Sequence, residues 1–176
     1  MASSTENVKL GVCKITYKGQ DLGYTKGGVS VDVTTDTYAV TVDQFGESVI
    51  NEYITKRDIK VECPLAETTL ENLVSIMPGA SLVTDAIDST KKRVDVTNGV
   101  GTNLLSIAGE LRLHPIELDD ADLSEDLVIP LAATAGAMKF SYKHDEERVF
   151  NTSFAGYPDS ATNILYSLGD TTATAS

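Results

Sequence analysis

The amino-acid sequence predicts a mainly β fold with one short flanking helix, and three observations carry the prediction. Thr, Val, Ala, Asp and Ser recur in short alternating runs punctuated by Gly and Asn-Gly signals. The period of two is sharp where Val29, Val31 and Val33 alternate with Ser30, Asp32 and Thr34. A helix signature occurs at one place, around Thr68. The 176 residues, 41% of them hydrophobic, suffice for one core burying roughly 70% of the surface of the unfolded chain. With neither internal repeats nor a linker in view, the expected organisation is a flexible tail over 1–8, one β domain over 9–170 and a flexible tail over 171–176.

Along the chain, Leu10 to Lys18 reads as a strand and Gly19-Gln20-Asp21-Leu22-Gly23 as a turn. After Val33 the apolar parity flips to Tyr38, Val40 and Val42, so Thr35-Asp36-Thr37 is expected to hold a tight connection or a bulge. The two halves then form either a hairpin or one bent ribbon. Asp43-Gln44-Phe45-Gly46 closes this unit, and a strand from Ile54 to Cys63 is expected to end at Pro64, which lacks a backbone donor. Thr68-Thr69-Leu70-Glu71 matches a capping box, with Leu70, Leu73, Val74 and Met77 as the apolar stripe and Pro78-Gly79 as the stop. So short a helix must pack on a sheet.

The second half alternates less cleanly. Arg93–Thr97 and Leu104–Leu113 read as strands joined across Asn98-Gly99, and Glu117–Asp126 reads as a solvated acidic loop. Leu127–Ala132, Met138–Lys143 and Val149–Ala155 are further strands, the last two paired across His144-Asp145-Glu146-Glu147.

A formal charge of −12 and a pI near 4.4 exclude the basic footprint of a protein that grips nucleic acid. No run approaches the ~20 apolar residues of a membrane span, and Met1 to Asn7 lacks the regions of a signal peptide. The expectation is a soluble protein made in the cytoplasm. Cys13 and Cys63 lie in apolar alternations and read as buried free thiols; a disulfide would need an oxidising compartment.

Enzyme chemistry finds little foothold, and no cofactor or metal is expected. His114 and His144 sit in no HExxH, GxSxG or Cys/His spacing. His114, before Pro115, is expected at a solvated strand edge and His144 in a charged turn. The loop Asp119 to Asp126 fails the calcium-loop pattern, with Glu125 where glycine is required. Gly99-Val100-Gly101 lacks the third glycine of a dinucleotide cradle.

Several runs carry a resemblance. They are Val29-Ser30-Val31-Asp32-Val33, then Tyr38, then Val42-Asp43-Gln44-Phe45-Gly46, then the stretch from Lys60-Val61-Glu62-Cys63-Pro64 to Leu73. Together they are similar to the N-terminal half of tail tube proteins of long-tailed bacteriophages and prophages. Asp126-Leu127-Val128-Ile129-Pro130 and Arg148 to Asp159 resemble that family's closing strands, so the likeness spans about residues 8 to 168.

The resemblance implies a β-sandwich or half-barrel with one flanking helix, whose strands contribute to a β-barrel shared between subunits. It also implies stacked hexameric rings, location in the virion tail after assembly in the host cytoplasm, and genome passage through the lumen. Its partners would be further copies of the chain, the tape-measure, tail terminator and tip proteins, and double-stranded DNA in transit without tight binding, with no membrane. About four strands from each of six subunits would give about 24, wider than the porins that enclose a water channel. Asp32, Thr34, Thr41 and Asp43 are the candidate lumen-facing or assembly residues, because acidic and polar side chains opposite an apolar face would repel phosphate. Other readings are the ring protein of a contractile injection or secretion system, and a non-enzymatic β-sandwich binding module.

Overall fold

The computed structural model describes residue 9 and residues 11–173; the expected N-terminal tail and residues 174–176 lie outside this range. Of the expected C-terminal tail, Thr171 to Ala173 form a turn in which the Asp170 carboxylate accepts from Thr172 N and Oγ1. The fold is mainly β, with one α-helix and a large antiparallel sheet. In chain order the elements are β1 (Cys13–Tyr17), β2 (Gln20–Asp21), β3 (Ser30–Thr41), β4 (Val49–Leu65), α1 (Leu70–Ile76), β5 (Ala80–Thr84), β6 (Lys92–Val96), β7 (Gly109–Pro115), β8 (Leu127–Ala133), β9 (Phe150–Gly156) and β10 (Ser167–Leu168). The large sheet runs β2-β1-β7-β8-β9-β4-β3, with β10 on β8, while β5 and β6 form a separate hairpin.

The sheet curls so that the inner faces of β1, β7 and β8 meet those of β4 and β9. Alternation supplies the core: Ile15 and Tyr17, Leu111 and Leu113, Ile59, Val61, Cys63 and Leu65, and Phe150 and Phe154 are buried at every second position. The Tyr17 and Phe154 rings meet across the core at 4.9 Å between centroids, and Tyr17 Oη donates to the Ala132 carbonyl at 3.3 Å. β8 and β9 pair at only two positions, Ala132 with Gly156 and Ala133 with Ala155. A Cβ on Gly156 would stand 2.4 Å from Ile59 Cγ2, so a bare glycine permits close packing where the sheet bends.

Several local expectations are corrected. The first turn is tighter than Gly19–Gly23: Lys18 and Gly19 both take positive φ, as a two-residue hairpin requires, and Gln20–Asp21 already pairs with β1. β4 continues through Pro64, which faces Asn151 on β9 and whose carbonyl accepts from Lys26 N. The helix cap is Thr69, whose hydroxyl accepts from Asn72 N at 3.1 Å, while the Thr68 hydroxyl instead accepts from Arg148 Nη2 at 2.7 Å. The buried helix positions are Asn72 and Ile76, with Leu73 packed against the core. Asn72 is satisfied there by donating to the Leu22 and Glu67 carbonyls.

β6 pairs with β5, a strand the sequence reading passed over, and Asn98-Gly99 lies in the loop that follows. The strand expected from Leu104 begins only at Gly109, after a 3-10 turn at Leu105–Ile107. The strand expected over Met138–Lys143 reduces to one bridge, Lys139 with Asn151.

Both cysteines are free; Cys63 is 1% exposed and Cys13 is half-buried at the core margin. Burial raises the Cys63 thiol from its ordinary value near 9 to about 12. A thiol held protonated by the fold lends stability below its unfolded value and loses it as pH rises toward 12, by about 1.4 kcal/mol per pH unit. Native Cys63 is therefore expected to resist alkylation at pH 8.5, with labelling appearing only in denaturant; rapid native labelling followed by mass spectrometry would refute this.

Candidate assembly surface

The structural feature that departs most from a self-contained domain is the β3–β4 hairpin. Past the pair Val33–Ile59 neither strand pairs with a third one: β9 pairs with β4 only over Lys60–Leu65, and β3 ends the sheet. The remaining arm, Thr34 to Asp58, extends about 25 Å at the usual strand rise. Its tip is the 3-10 turn Asp43–Phe45 closed by Gly46 at φ 62. Such a two-stranded ribbon is marginally stable alone in water.

β3 is a single strand and the ribbon is one bent unit. Its alternation never breaks, so Val31, Val33, Thr35, Thr37, Ala39 and Thr41 share one face, and Ser30, Asp32, Thr34, Asp36, Tyr38 and Val40 share the other. The parity change therefore moves the apolar stripe from the core-side face to the opposite one. Near the body, Val31 and Val33 face the buried Val61 and Ile59 but are themselves exposed. Further out, Tyr38 lies directly opposite Tyr53, with exposures of 63% and 60%. The other face of the outer arm carries Ile54 opposite Thr37 and Val49 opposite Thr41, and Phe45 stands at the tip. Ile54, Val49, Ile50 and Phe45 are all exposed, so the arm displays apolar side chains on both faces.

The four residues singled out from the sequence do not share a face. Asp32 and Thr34 lie together on the body-proximal polar face, Thr41 is on the opposite face near the tip, and Asp43 sits in the terminal turn. Asp32 is joined on its face by Asp36, Asp58, Lys56, Lys60 and Glu62. Lys60 pairs with Glu62 at 2.6 Å and Lys56 with Asp58 at 2.5 Å. Among the described residues no cation lies within ion-pair distance of Asp32 or Asp36, so the face keeps an acidic excess. Asp36 and Asp58 are not legible as part of this face in the sequence, where Thr35 to Thr37 reads equally as a connection and the register of β3 on β4 is not encoded.

A second cluster was also missed, and two expectations are corrected by it. His114 is 7% exposed and Asp126 fully buried; neither is a solvated edge or loop residue. His114 Nδ1 lies 2.6 Å from Asp126 Oδ1, and Arg112 Nη1 donates to Asp126 Oδ2 at 3.1 Å. His114 Nε2 has no partner. Arg112 and His114 alternate with Leu111 and Leu113, so they lie on the sheet face away from the main core. The 116–126 loop and β10 fold back there: Gly169 N donates to the Asp126 carbonyl, and Ser167 and Leu168 pair with Val128 and Leu127. The cluster reads as an anchor for the returning segments. His144 stands exposed in its turn, 97% accessible.

No protein-family model matches the chain, and no curated protein matches it. Among the described residues no three His, Cys, Asp or Glu side chains gather as a metal site, and no helix is long and apolar enough to cross a membrane.

Proposed function

We propose that the chain is a structural subunit of a phage tail tube, polymerising through its β3–β4 ribbon into stacked rings, hexameric by the resemblance, whose lumen conducts the viral genome. The observation that carries this reading is the free-standing arm Thr34 to Asp58, open along both edges and bearing exposed apolar side chains on both faces of its outer half. Left alone, such an arm invites uncontrolled edge pairing; joined side by side with the arms of neighbouring copies, it closes into a barrel that has no edge. Pairing of one arm with the next is head-to-tail, so it yields a ring where the rotation closes, and stacked rings make a filament.

The polar face of the ribbon gives the reading its chemistry. In a closed ring the Asp32, Thr34 and Asp36 face suits the bore, since its acidic excess repels phosphate and lets a duplex slide. Beyond Asp36 the same face carries Tyr38 and Tyr53 and the opposite one Ile54, and this outer part of the arm suits contacts between subunits and successive rings. The ribbon also covers residues that carry the resemblance to tail tube proteins, Val29 to Gly46 and the start of the Lys60 run.

Charge sets the condition for assembly. Six chains at −12 place roughly −72 on a ring, screened over ~8 to 10 Å by physiological salt, so growth depends on apolar burial and strand pairing working against repulsion. Raising salt from low to moderate concentration is expected to promote polymerisation in sedimentation velocity runs. Tubes that dissolve as salt rises would contradict the reading.

A further inference from the structure

The two edges of the ribbon differ in a way that bears on how free subunits stay apart. β3 is regular from Ser30 to Thr41, whereas β4 carries two residues without a counterpart. Lys56 faces Asp36 and Ile54 faces Thr37, leaving Thr55 over; Asn51 faces Val40 and Val49 faces Thr41, leaving Ile50 over. Both extra residues fall within Val49–Ile59, the stretch whose second edge is unpaired, and neither falls in Lys60–Leu65, where the same strand pairs with β9. The first is fastened in place: Thr55 Oγ1 donates to the Asp36 carbonyl at 3.2 Å. Each extra residue interrupts the ladder, increases the local twist and sets the edge N–H and C=O groups out of line.

We propose that the Ile50 and Thr55 bulges are a built-in brake on strand addition. They hold the free β4 edge of an isolated subunit in a shape that a strand of a second copy does not pair with readily, and so keep indiscriminate edge-to-edge association slow. Bulges are one of the means by which exposed edges are blunted. The charged side chains that follow Thr55, namely Lys56, Arg57 and Asp58, add to the effect on the same unpaired stretch. The inference rests on the unpaired edge and holds whether or not the chain forms tubes.

The test removes the extra residues without disturbing the pairs beside them. Deleting Thr55 brings the pairs Asp36–Lys56 and Thr37–Ile54 into one unbroken ladder, and deleting Ile50 does the same for Val40–Asn51 and Thr41–Val49. A second route reaches the same end from the other strand, by inserting one threonine between Asp36 and Thr37 to face Thr55 and one between Val40 and Thr41 to face Ile50. For the wild type, the double deletion and the insertion variant, the protein concentration at which thioflavin fluorescence and light scattering rise is measured. Near-UV circular dichroism of the Tyr17–Phe154 core reports that the body is folded. Both variants are expected to associate at a concentration at least about tenfold below the wild type, giving thioflavin-positive sheets. Folded variants that keep the wild-type threshold would overturn the proposal and leave the bulges as bends only. If the wild type forms no tubes while the variants still associate earlier, the tube reading fails and the brake stands.

Discussion

Replacing Tyr38 and Tyr53 together by Asp is expected to abolish polymerisation while leaving the subunit folded. The two rings are directly opposed on the outer arm and more than half exposed in the single chain. They contribute little to the isolated domain, where exposed substitutions usually cost within about 0.5 kcal/mol. In an assembly the same pair would be desolvated at the centre of an interface, the position and residue type at which truncation costs about 2–4 kcal/mol. Two introduced carboxylates add repulsion to a chain already at −12. The polymerisation threshold should rise by roughly a hundredfold or more, read by sedimentation and electron microscopy, with the thermal midpoint of the subunit unchanged. Tubes forming at the wild-type concentration would remove the outer arm from the interface.

The largest effect on the subunit's own stability is expected at Asp126. Its buried carboxylate accepts from Arg112 and pairs with His114, while its backbone carbonyl receives Gly169 N. Asp126→Ala leaves the buried His114 imidazole without its partner and the Arg112 guanidinium, a quarter exposed, with Glu110 alone, and breaking a buried pair in this way costs up to about 3–5 kcal/mol. With a denaturant slope of about 2 kcal/mol per molar urea, the midpoint should fall by roughly 1.5–2.5 M. The damage should be local at first: amide exchange is expected to quicken in residues 116–126 and 164–170 before it does in β4 and β9. A loss below about 1 kcal/mol would mean that the returning segments are held by their apolar contacts alone, without the buried ion pair.

How far the sequence reveals this architecture follows from what each pattern encodes. Alternation reports which side chains share a face, so β1, β3, β4 and β9 are legible, as is the change of apolar face along β3, while β8 shows as a short apolar run. The same alternation hid β3's continuity, because a shift in apolar parity reads identically for a broken strand and for an unbroken strand whose apolar surface changes sides. Polar residues on an alternating strand look solvated, which is how Arg112, His114 and Asp126 escaped notice. Their burial depends on a loop and a two-residue strand returning from far along the chain, and no local period records that. β5 was missed because Ala80-Ser81-Leu82-Val83-Thr84 follows directly on the helix stop and has little alternation of its own. Of the candidate assembly residues, Asp32 and Thr34 fall on the acidic face, whereas Thr41 and Asp43 mark the outer end of the arm. Asp36 became visible only once the register of β3 against β4 was known.

In the proposed function, the exposed ribbon joins copies of this chain into a hollow tube. Electron microscopy of the purified protein, concentrated and held at moderate salt, tests it most directly. Tubes of regular axial repeat with a stain-filled bore are expected, with Asp32 and Asp36 on the inner wall and the outer arm bearing Tyr38 and Tyr53 between subunits. A chain that remains monomeric across concentration and salt, with both tyrosines open to solvent, or that forms only solid fibres without a bore, would contradict it.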